Sequence, residues 1–308
     1  CYICTQALHW KTKEGLVRMC ACRGTAGFAH VSCLAEQAKI LFAEAEENNL
    51  GWDVKNPRFQ RWAFCSLCEQ GYHGVVLCAL GWACWKTHAG RLERDQTRRM
   101  AMGVLGNGLS AAKRHEESLS VREADLATRL RLGDPEEIIL VVQSNLANTY
   151  GMLGRREEAL SMQRDVYSGH LKLHGEEHPQ TLEAGINYAI SLNDLRRFEE
   201  TRSLLRKTTP VAQRVLGKCN DITLRMRWIY TATLCEDGAT LDELHEAVAT
   251  FEEIERTVRR VYGGAHPLLV NIENTLQISR KGLRRLRARE GDVESAREAV
   301  EAMTPGDA

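Results

Sequence analysis

Eight potential metal ligands are concentrated in the first 68 residues of this 308-residue chain. They form four pairs with the spacings C-x2-C, C-x-C, H-x2-C and C-x2-C. Zinc prefers four thiolate or imidazole ligands in a tetrahedron, and a C-x2-C turn delivers two thiolates to one ion. Four pairs therefore complete two sites. In chain order the ligands are Cys1, Cys4, Cys20, Cys22, His30, Cys33, Cys65 and Cys68.

Alternating ligand pairs are usually arranged as a cross-brace, in which the first and third pairs bind one ion and the other two pairs bind a second ion. The pattern thus predicts two Zn2+ cofactors. The first zinc would be bound by Cys1, Cys4, His30 and Cys33, and the second by Cys20, Cys22, Cys65 and Cys68.

The alternatives for these cysteines are a disulfide framework or free buried thiols, and the cellular compartment decides among them. No signal peptide is visible, which favours zinc in an intracellular, cytoplasmic protein. The sequence begins at Cys1 and not at methionine. We therefore expect a preceding N-terminal region, which would carry any targeting signal.

The segment C-x-C-x7-H-x2-C, from Cys20 to Cys33, resembles the RING-CH (RING-variant) zinc finger, and the resemblance covers about residues 1–75. The PHD finger shares the ligand order but differs in spacing, and it is the weaker match. RING-CH domains are ubiquitin ligase modules. The resemblance implies a domain without catalytic residues, which recruits a ubiquitin-conjugating enzyme and orients the ubiquitin thioester for attack. It also implies enzyme contacts through Ile3, inside the first pair, and Leu67, inside the last pair.

Two features depart from the family pattern. Gln37 occupies the position of a usual tryptophan, for which Trp52 or Trp62 would substitute, and 31 residues separate Cys33 from Cys65. These departures favour an alternative function, in which the protein is a non-catalytic scaffold and the finger only binds other proteins.

The long gap between the ligands contains a helical pattern. Apolar residues recur at helical spacing before Asn48, Asn49 and Gly51 end the run, so we expect an inserted helix. These apolar residues are Leu34, Ala38, Leu41, Phe42 and Ala45.

A second apolar run, residues 75–85, is too short to span a bilayer and is expected to form a buried helix. No later segment is long and apolar enough to cross a membrane. Two cysteines of the run admit two interpretations, a third metal site or core packing. The third site would combine His73, Cys78, Cys84 and His88.

From about residue 98 the sequence repeats with a period of 42 residues. Gly133, Gly175 and Gly217 mark this period, and Arg155 with its following glutamates recurs at Arg197. Each unit contains two apolar stretches around a polar turn, as expected for a helical hairpin. The sequence predicts four hairpins and a terminal helix.

This pattern resembles the 42-residue tetratricopeptide repeats of kinesin light chains, over about residues 98–288. Such hairpins stack into a superhelix with a concave groove that binds proteins or peptides. Polar residues on the first helix of each hairpin are the groove candidates, although asparagines there also cap or bridge helices. The candidates are Asn145, Asn148 and Asn187.

The predicted fold class is mostly α, with a small RING-like cross-brace finger of α+β type followed by an all-α superhelical solenoid. We expect the finger at 1–75, an apolar helix and connector at 76–97, repeats at 98–288 and a frayed tail at 289–308. The 41 basic and 41 acidic residues cancel, which argues against nucleic-acid binding. The leading hypothesis is a ubiquitin ligase whose repeats select a protein substrate.

Overall fold

The computed structural model describes residues 1–18, 20, 22, 27–236, 238–262 and 267–303. Within them the chain is mostly helical, and the β-structure of the finger consists of two isolated antiparallel bridges, Val17 with Ala29 and Phe64 with Gly71. The mostly α fold class is therefore confirmed. The β part of the finger, however, does not extend to regular strands in the described residues.

Three helices accompany the finger. They are α1 (Val31–Glu47), α2 (Trp52–Phe59), which continues into a 3-10 turn (Gln60–Trp62), and α3 (Gly74–His88). Helix α1 is the helix predicted in the gap, and it buries Leu34, Ala38, Phe42 and Ala45 as expected. Helix α2 has weaker apolar periodicity and was not predicted.

The repeats form the predicted helical hairpins. The first two hairpins are α4 (Gln96–Ala111) with α5 (His115–Leu132) and α6 (Glu136–Met152) with α7 (Arg156–His174). The next two are α8 (Pro179–Asp194) with α9 (Phe198–Leu216) and α10 (Asp221–Thr233) with α11 (Leu241–Tyr262), and α12 (Pro267–Met303) follows them. The described helices therefore give four hairpins and a last helix.

The repeated residues of the sequence end and begin these helices. Gly133, Gly175 and Gly217 follow α5, α7 and α9 with positive φ angles of 69°, 80° and 88°. Glycine adopts this conformation without a Cβ clash. Arg155 and Arg197 each pair with a glutamate three residues later, Glu158 and Glu200, at the start of the second helix.

The chain divides into two compact units, residues 1–166 and 167–308. The sequence predicts the first boundary near residue 75, but α3 belongs to the same compact unit as the finger and the first repeats. Val76 and Leu80 of α3 pack against the metal-ligand region, while Cys84 packs with Ala101 of α4. The apolar composition of α3 on all sides explains this shared core.

Glycine permits the close approach of α3 and α4. A Cβ atom at Gly108 would lie 2.7 Å from the Leu77 carbonyl oxygen, and one at Gly81 would lie 3.0 Å from the Val104 carbonyl oxygen. Both glycines therefore let the helix backbones touch.

The second unit has its own buried core. Leu182, Ile186 and Leu205 join α8 to α9, and Leu224, Ile254 and Ile272 join α10, α11 and α12. Helix α12 continues through Met303, so it includes most of the predicted tail. Its alanine, glutamate and arginine residues favour helix. No described helix has the length and apolarity needed to cross a membrane.

Candidate metal centre and binding surfaces

The first ligand cluster joins the N-terminal turn to the start of α1. The His30 Nδ1 atom lies 3.4 Å from the Cys4 Sγ atom and 3.6 Å from the Cys33 Sγ atom. Cys1 completes the group, and all four ligand atoms lie within 4.8 Å of one another. A tetrahedral zinc site has ligand–ligand separations of about 3.5–3.8 Å, so these residues fit one Zn2+ ion.

Neighbouring groups orient the first cluster. His30 is fully buried, and its Nε2 atom lies 3.2 Å from the carbonyl oxygen of Ala7. When Nε2–H donates to that oxygen, the Nδ1 lone pair faces the sulfur atoms. Glu14 accepts a 2.8 Å hydrogen bond from the Ser32 amide in the first turn of α1. Sequence reasoning missed Glu14, because its partner is distant in sequence and no local capping motif marks it.

The second cluster contains Cys20, Cys22, Cys65 and Cys68, again with all ligand atoms within 4.8 Å of one another. The Cys22 and Cys65 sulfur atoms are 3.7 Å apart, and the Leu67 amide lies 3.4 Å from the Cys65 sulfur as a donor. Amide donors of this kind stabilise metal-bound thiolates. The two clusters contain the ligand sets that the cross-brace predicts.

The sulfur distances decide against a disulfide framework. A disulfide requires an S–S distance of about 2.05 Å, whereas Cys22 and Cys65 are separated by 3.7 Å. All the cysteines are free. Both clusters therefore present four separate ligands and can bind two zinc ions.

A bound cation would favour the deprotonated form of these thiols. Burial raises the pKa of Cys33 to about 11 and raises the pKa of Cys22 well above its usual range. Burial also acts to raise the pKa of Cys68, but the Gln70 amide and neighbouring thiols lower it to about 7. Four thiolates in contact repel one another, and a divalent ion among them stabilises the charged form.

The inserted helices connect Cys33 of the first cluster to Cys65 of the second cluster. Phe42 of α1 and Phe59 of α2 contact edge to face, with ring centroids 5.3 Å apart. Trp62 is only 1% exposed in the same core, and Arg61 donates to the Cys65 carbonyl oxygen at 3.1 Å. The insertion therefore packs beside the last ligand pair into an apolar core that it shares with Cys84 of α3 and Ala101 of α4.

The four residues of the hypothetical third metal site do not form a ligand group in the described part of the chain. Cys78 packs with Leu105 and Leu109, whereas Cys84 lies in the core of Phe59 and Trp62. These contacts favour the interpretation of core cysteines.

The first and last C-x2-C turns lie side by side. We call residues 1–4 the first knuckle and residues 65–68 the last knuckle. The Tyr2 hydroxyl lies 3.4 Å from the Ser66 hydroxyl. Ile3 is half-buried against the finger core, and Leu67 is 53% exposed. The two predicted enzyme contacts, Ile3 and Leu67, therefore each follow one of the two hydroxyl residues in the chain.

Trp52 and Trp62, the two possible substitutes for the tryptophan that Gln37 replaces, have different environments. Trp62 is buried with Phe42 and Phe59, whereas Trp52 is 44% exposed and lines a cleft next to α4. Trp62 thus has the packing role of a core tryptophan.

The predicted groove residues occupy three different environments. Asn145 lines the same cleft as Trp52. Asn148 accepts a 2.9 Å hydrogen bond from the Gln163 side chain of α7, which is a bridging role. Asn187 is half-buried on α8 in the other unit.

Comparisons with known proteins match the two parts of the chain separately. The family described as RING-variant domain matches residues 1–49, and the family described as tetratricopeptide repeat matches residues 139–180. The first match includes α1 and ends before α2 and Cys65. Among curated protein sequences there is no significant match.

Two solved structures are similar to this chain over most of its length. BtubC (BKLC) from P. vanneervenii is 13% identical with a TM-score of 0.50, and the alignment covers 90% of this chain and 93% of that chain. A Podosopora anserina protein described as a kinesin light chain is 16% identical, with a TM-score of 0.49 and coverages of 75% and 97%. The chain thus carries an N-terminal RING-variant domain, whose two ligand clusters can bind zinc, followed by tetratricopeptide repeats.

Proposed function

We propose that the protein is a ubiquitin ligase, in which the finger recruits a ubiquitin-conjugating enzyme and the repeats bind a protein substrate. The match of residues 1–49 to the RING-variant domain carries this proposal. Both ligand clusters have four protein ligands, so neither zinc would offer an open position for a reactant. Catalysis is then a matter of positioning the ubiquitin thioester near its acceptor.

Two apolar side chains support an enzyme-binding surface. Leu67 is exposed, and Ile3 is half-buried one residue after Tyr2, which contacts Ser66 in the last knuckle. The zinc ions would hold both knuckles rigid, and rigid apolar groups bind a partner with little loss of conformational entropy. Reduced zinc thiolates are typical of the cytoplasm, which we infer as the place of action.

Autoubiquitination tests the proposal directly. The protein is incubated with activating enzyme, ubiquitin and a panel of conjugating enzymes, and its zinc content is measured by mass spectrometry. We expect two zinc ions per chain and ubiquitin chains with at least one conjugating enzyme. A preparation with two zinc ions and no ubiquitin transfer across the panel would contradict ligase activity.

A protein-binding scaffold is the second candidate. Gln37 replaces the usual tryptophan, and α1 and α2 lie between the sixth and seventh ligands. These features alter the part of the finger that lies between the sixth and seventh ligands. A scaffold would bind its partners through the finger and repeats in the same zinc-loaded state, without stimulating ubiquitin transfer.

A further inference from the structure

A cleft lies between the inserted helix α2 and the first repeats, entirely within the first compact unit. Its volume is about 670 Å3, which is in the range of sites that bind small molecules or a few side chains. Helices α4, α5 and α6 supply most of the lining, and Trp52 and Gln60 of the insertion form the remaining wall.

Two aspartates and two arginines in this lining form a network of ion pairs. Arg99 binds Asp134 at 2.8 Å, and Arg129 binds Asp125 at 2.8 Å and Asp134 at 3.1 Å. Both acidic groups of the cleft therefore already have cationic partners.

Arg122 is the third arginine of the cleft, and it differs from the other two. It is only 8% exposed, and its hydrogen bonds go to the neutral acceptors Ser118 and Asn107, at 3.1 and 2.9 Å. No carboxylate among the described residues hydrogen-bonds to it, and Asp125, which binds Arg129 directly, acts on it only from a greater distance. A buried guanidinium without an anionic partner is unfavourable. The lining consequently carries one positive charge in excess.

Arg122 is not needed to satisfy its neighbours. The Ser118 hydroxyl also donates to the Gly106 carbonyl at 2.9 Å, and Asn107 is exposed to water. Removal of the guanidinium would leave neither residue as a buried polar group without a partner. A purely structural role therefore does not explain the cost of burying this charge.

The rest of the cleft is largely apolar. Met100, Met102 and Val142 line it, and the partly exposed side chains of Trp52 and Ile138 stand on opposite elements. Methionine side chains adapt to varied apolar partners. The cleft thus combines one positive charge in excess with adaptable apolar walls.

We propose that this cleft binds a peptide of a partner protein through an acidic side chain that pairs with Arg122, with flanking apolar residues against Trp52 and the methionines. The site is composite, because its Trp52 wall comes from the segment between zinc ligands Cys33 and Cys65. This inference deepens the proposed function, since in a ligase the bound peptide would belong to the substrate. The binding itself requires neither ubiquitin nor a conjugating enzyme.

Fluorescence anisotropy with synthetic peptide pools tests the proposal on the full, zinc-loaded chain. Each labelled dodecapeptide has a central glutamate flanked by randomised apolar residues, and matched pools carry glutamine or lysine at the centre. We expect the glutamate pool to bind about tenfold more tightly than the glutamine pool, as for one charge-assisted contact. We expect the lysine pool to bind weakest.

Three variants complete the test. Arg122→Gln should remove the preference for glutamate, and Trp52→Ala should weaken both the glutamate and glutamine pools. Arg164→Gln, at an exposed arginine of α7 that faces only its neighbour Asp165, should change neither. Equal binding of the three pools by wild type, or no binding of any pool, would overturn the proposal without bearing on ubiquitin transfer.

A stability measurement separates binding from folding. Arg122→Met should leave the melting temperature of the peptide-free protein unchanged or raise it, because the buried charge is replaced by an apolar side chain. A marked drop would show that Arg122 stabilises the fold and would overturn the assignment of a binding role.

Discussion

Cys22 and Cys65 lie with their sulfur atoms 3.7 Å apart although 43 positions separate them in the sequence. Between them the chain forms α1, α2 and a 3-10 turn, with Phe42, Phe59 and Trp62 in a core that they share with α3 and α4. A bound zinc would close this long segment and so remove conformational freedom from the unfolded chain. The second zinc site thus links the finger to its inserted helices.

Substitution of one ligand should release one zinc ion. We expect Cys65→Ser to lower the zinc content from two ions per chain to one, because the remaining three thiolates lose a ligand and a loop closure. Near-ultraviolet circular dichroism should also lose tryptophan signal from Trp62. Zinc is measured by mass spectrometry on dialysed protein.

The matched control is Cys219→Ser, at an exposed cysteine in the second unit that belongs to neither cluster. This variant should retain two zinc ions. If Cys65→Ser also retained two, the cross-brace assignment would be incorrect.

Truncation of Ile3 should reduce ubiquitin transfer if the knuckles bind the conjugating enzyme. We expect Ile3→Ala to lower the autoubiquitination rate at least about tenfold, as for loss of an apolar interface anchor, with two zinc ions retained. Leu67→Ala should have a similar effect. The readout is the initial rate on gels.

Leu92→Ala provides the comparison, because Leu92 is an exposed leucine outside the finger. Its ubiquitin transfer should equal that of wild type. Equal rates for Ile3→Ala and wild type would show that the enzyme contact lies elsewhere on the finger.

Much of this architecture could be predicted from local patterns. The ligand pairs have short fixed spacings, and the first inserted helix has regular apolar residues such as Leu34, Ala38 and Phe42. The repeat glycines Gly133, Gly175 and Gly217 lie at helix ends, where a positive φ angle is needed. These signals depend on neighbouring residues, so they are visible in sequence.

Features that depend on distant contacts could not be predicted in this way. Glu14 accepts a hydrogen bond from the Ser32 amide, 18 positions away in the sequence. Nothing near Arg122 in sequence reveals that its side chain is buried and that it lines one cleft with Trp52. The packing of α3 on both the finger and α4 also depends on backbone approach at Gly108, which no local pattern reveals.

Protonation of His88 should destabilise the first unit at acidic pH. His88 is 3% exposed, and neither ring nitrogen has a hydrogen-bond partner in the described structure. Burial, together with nearby Arg91, lowers its pKa to about 4, despite the opposing charges of Glu46 and Asp95. The unfolded chain, with an ordinary pKa near 6.5, therefore binds more protons between about pH 6.5 and pH 4.

The direction in which stability changes with pH follows from this difference in pKa. The contribution of His88 to stability is complete above about pH 6.5 and decreases as pH falls toward 4, by about 2 kcal/mol between pH 6.5 and 5. Urea unfolding at both pH values measures this change. Zinc ligands also bind protons in acid. The prediction is therefore tested by comparing the pH dependence of the unfolding free energy in wild type with that in His88→Phe. A pH dependence identical in the two proteins would contradict the prediction.

Two glycines of the second unit should respond in opposite ways to substitution by alanine. Gly217 ends α9 with φ 88° and ψ 160°, a conformation that an alanine Cβ disfavours, so Gly217→Ala should destabilise by about 1–3 kcal/mol. Gly282 lies inside α12, and a Cβ atom there would meet no atom within 4 Å. Gly282→Ala should therefore stabilise by about 0.5–1 kcal/mol. Urea unfolding monitored by far-ultraviolet circular dichroism compares the two. Unchanged stability in Gly217→Ala would contradict the repeat boundary that Gly217 marks, and loss of stability in Gly282→Ala would contradict the open helical environment of Gly282.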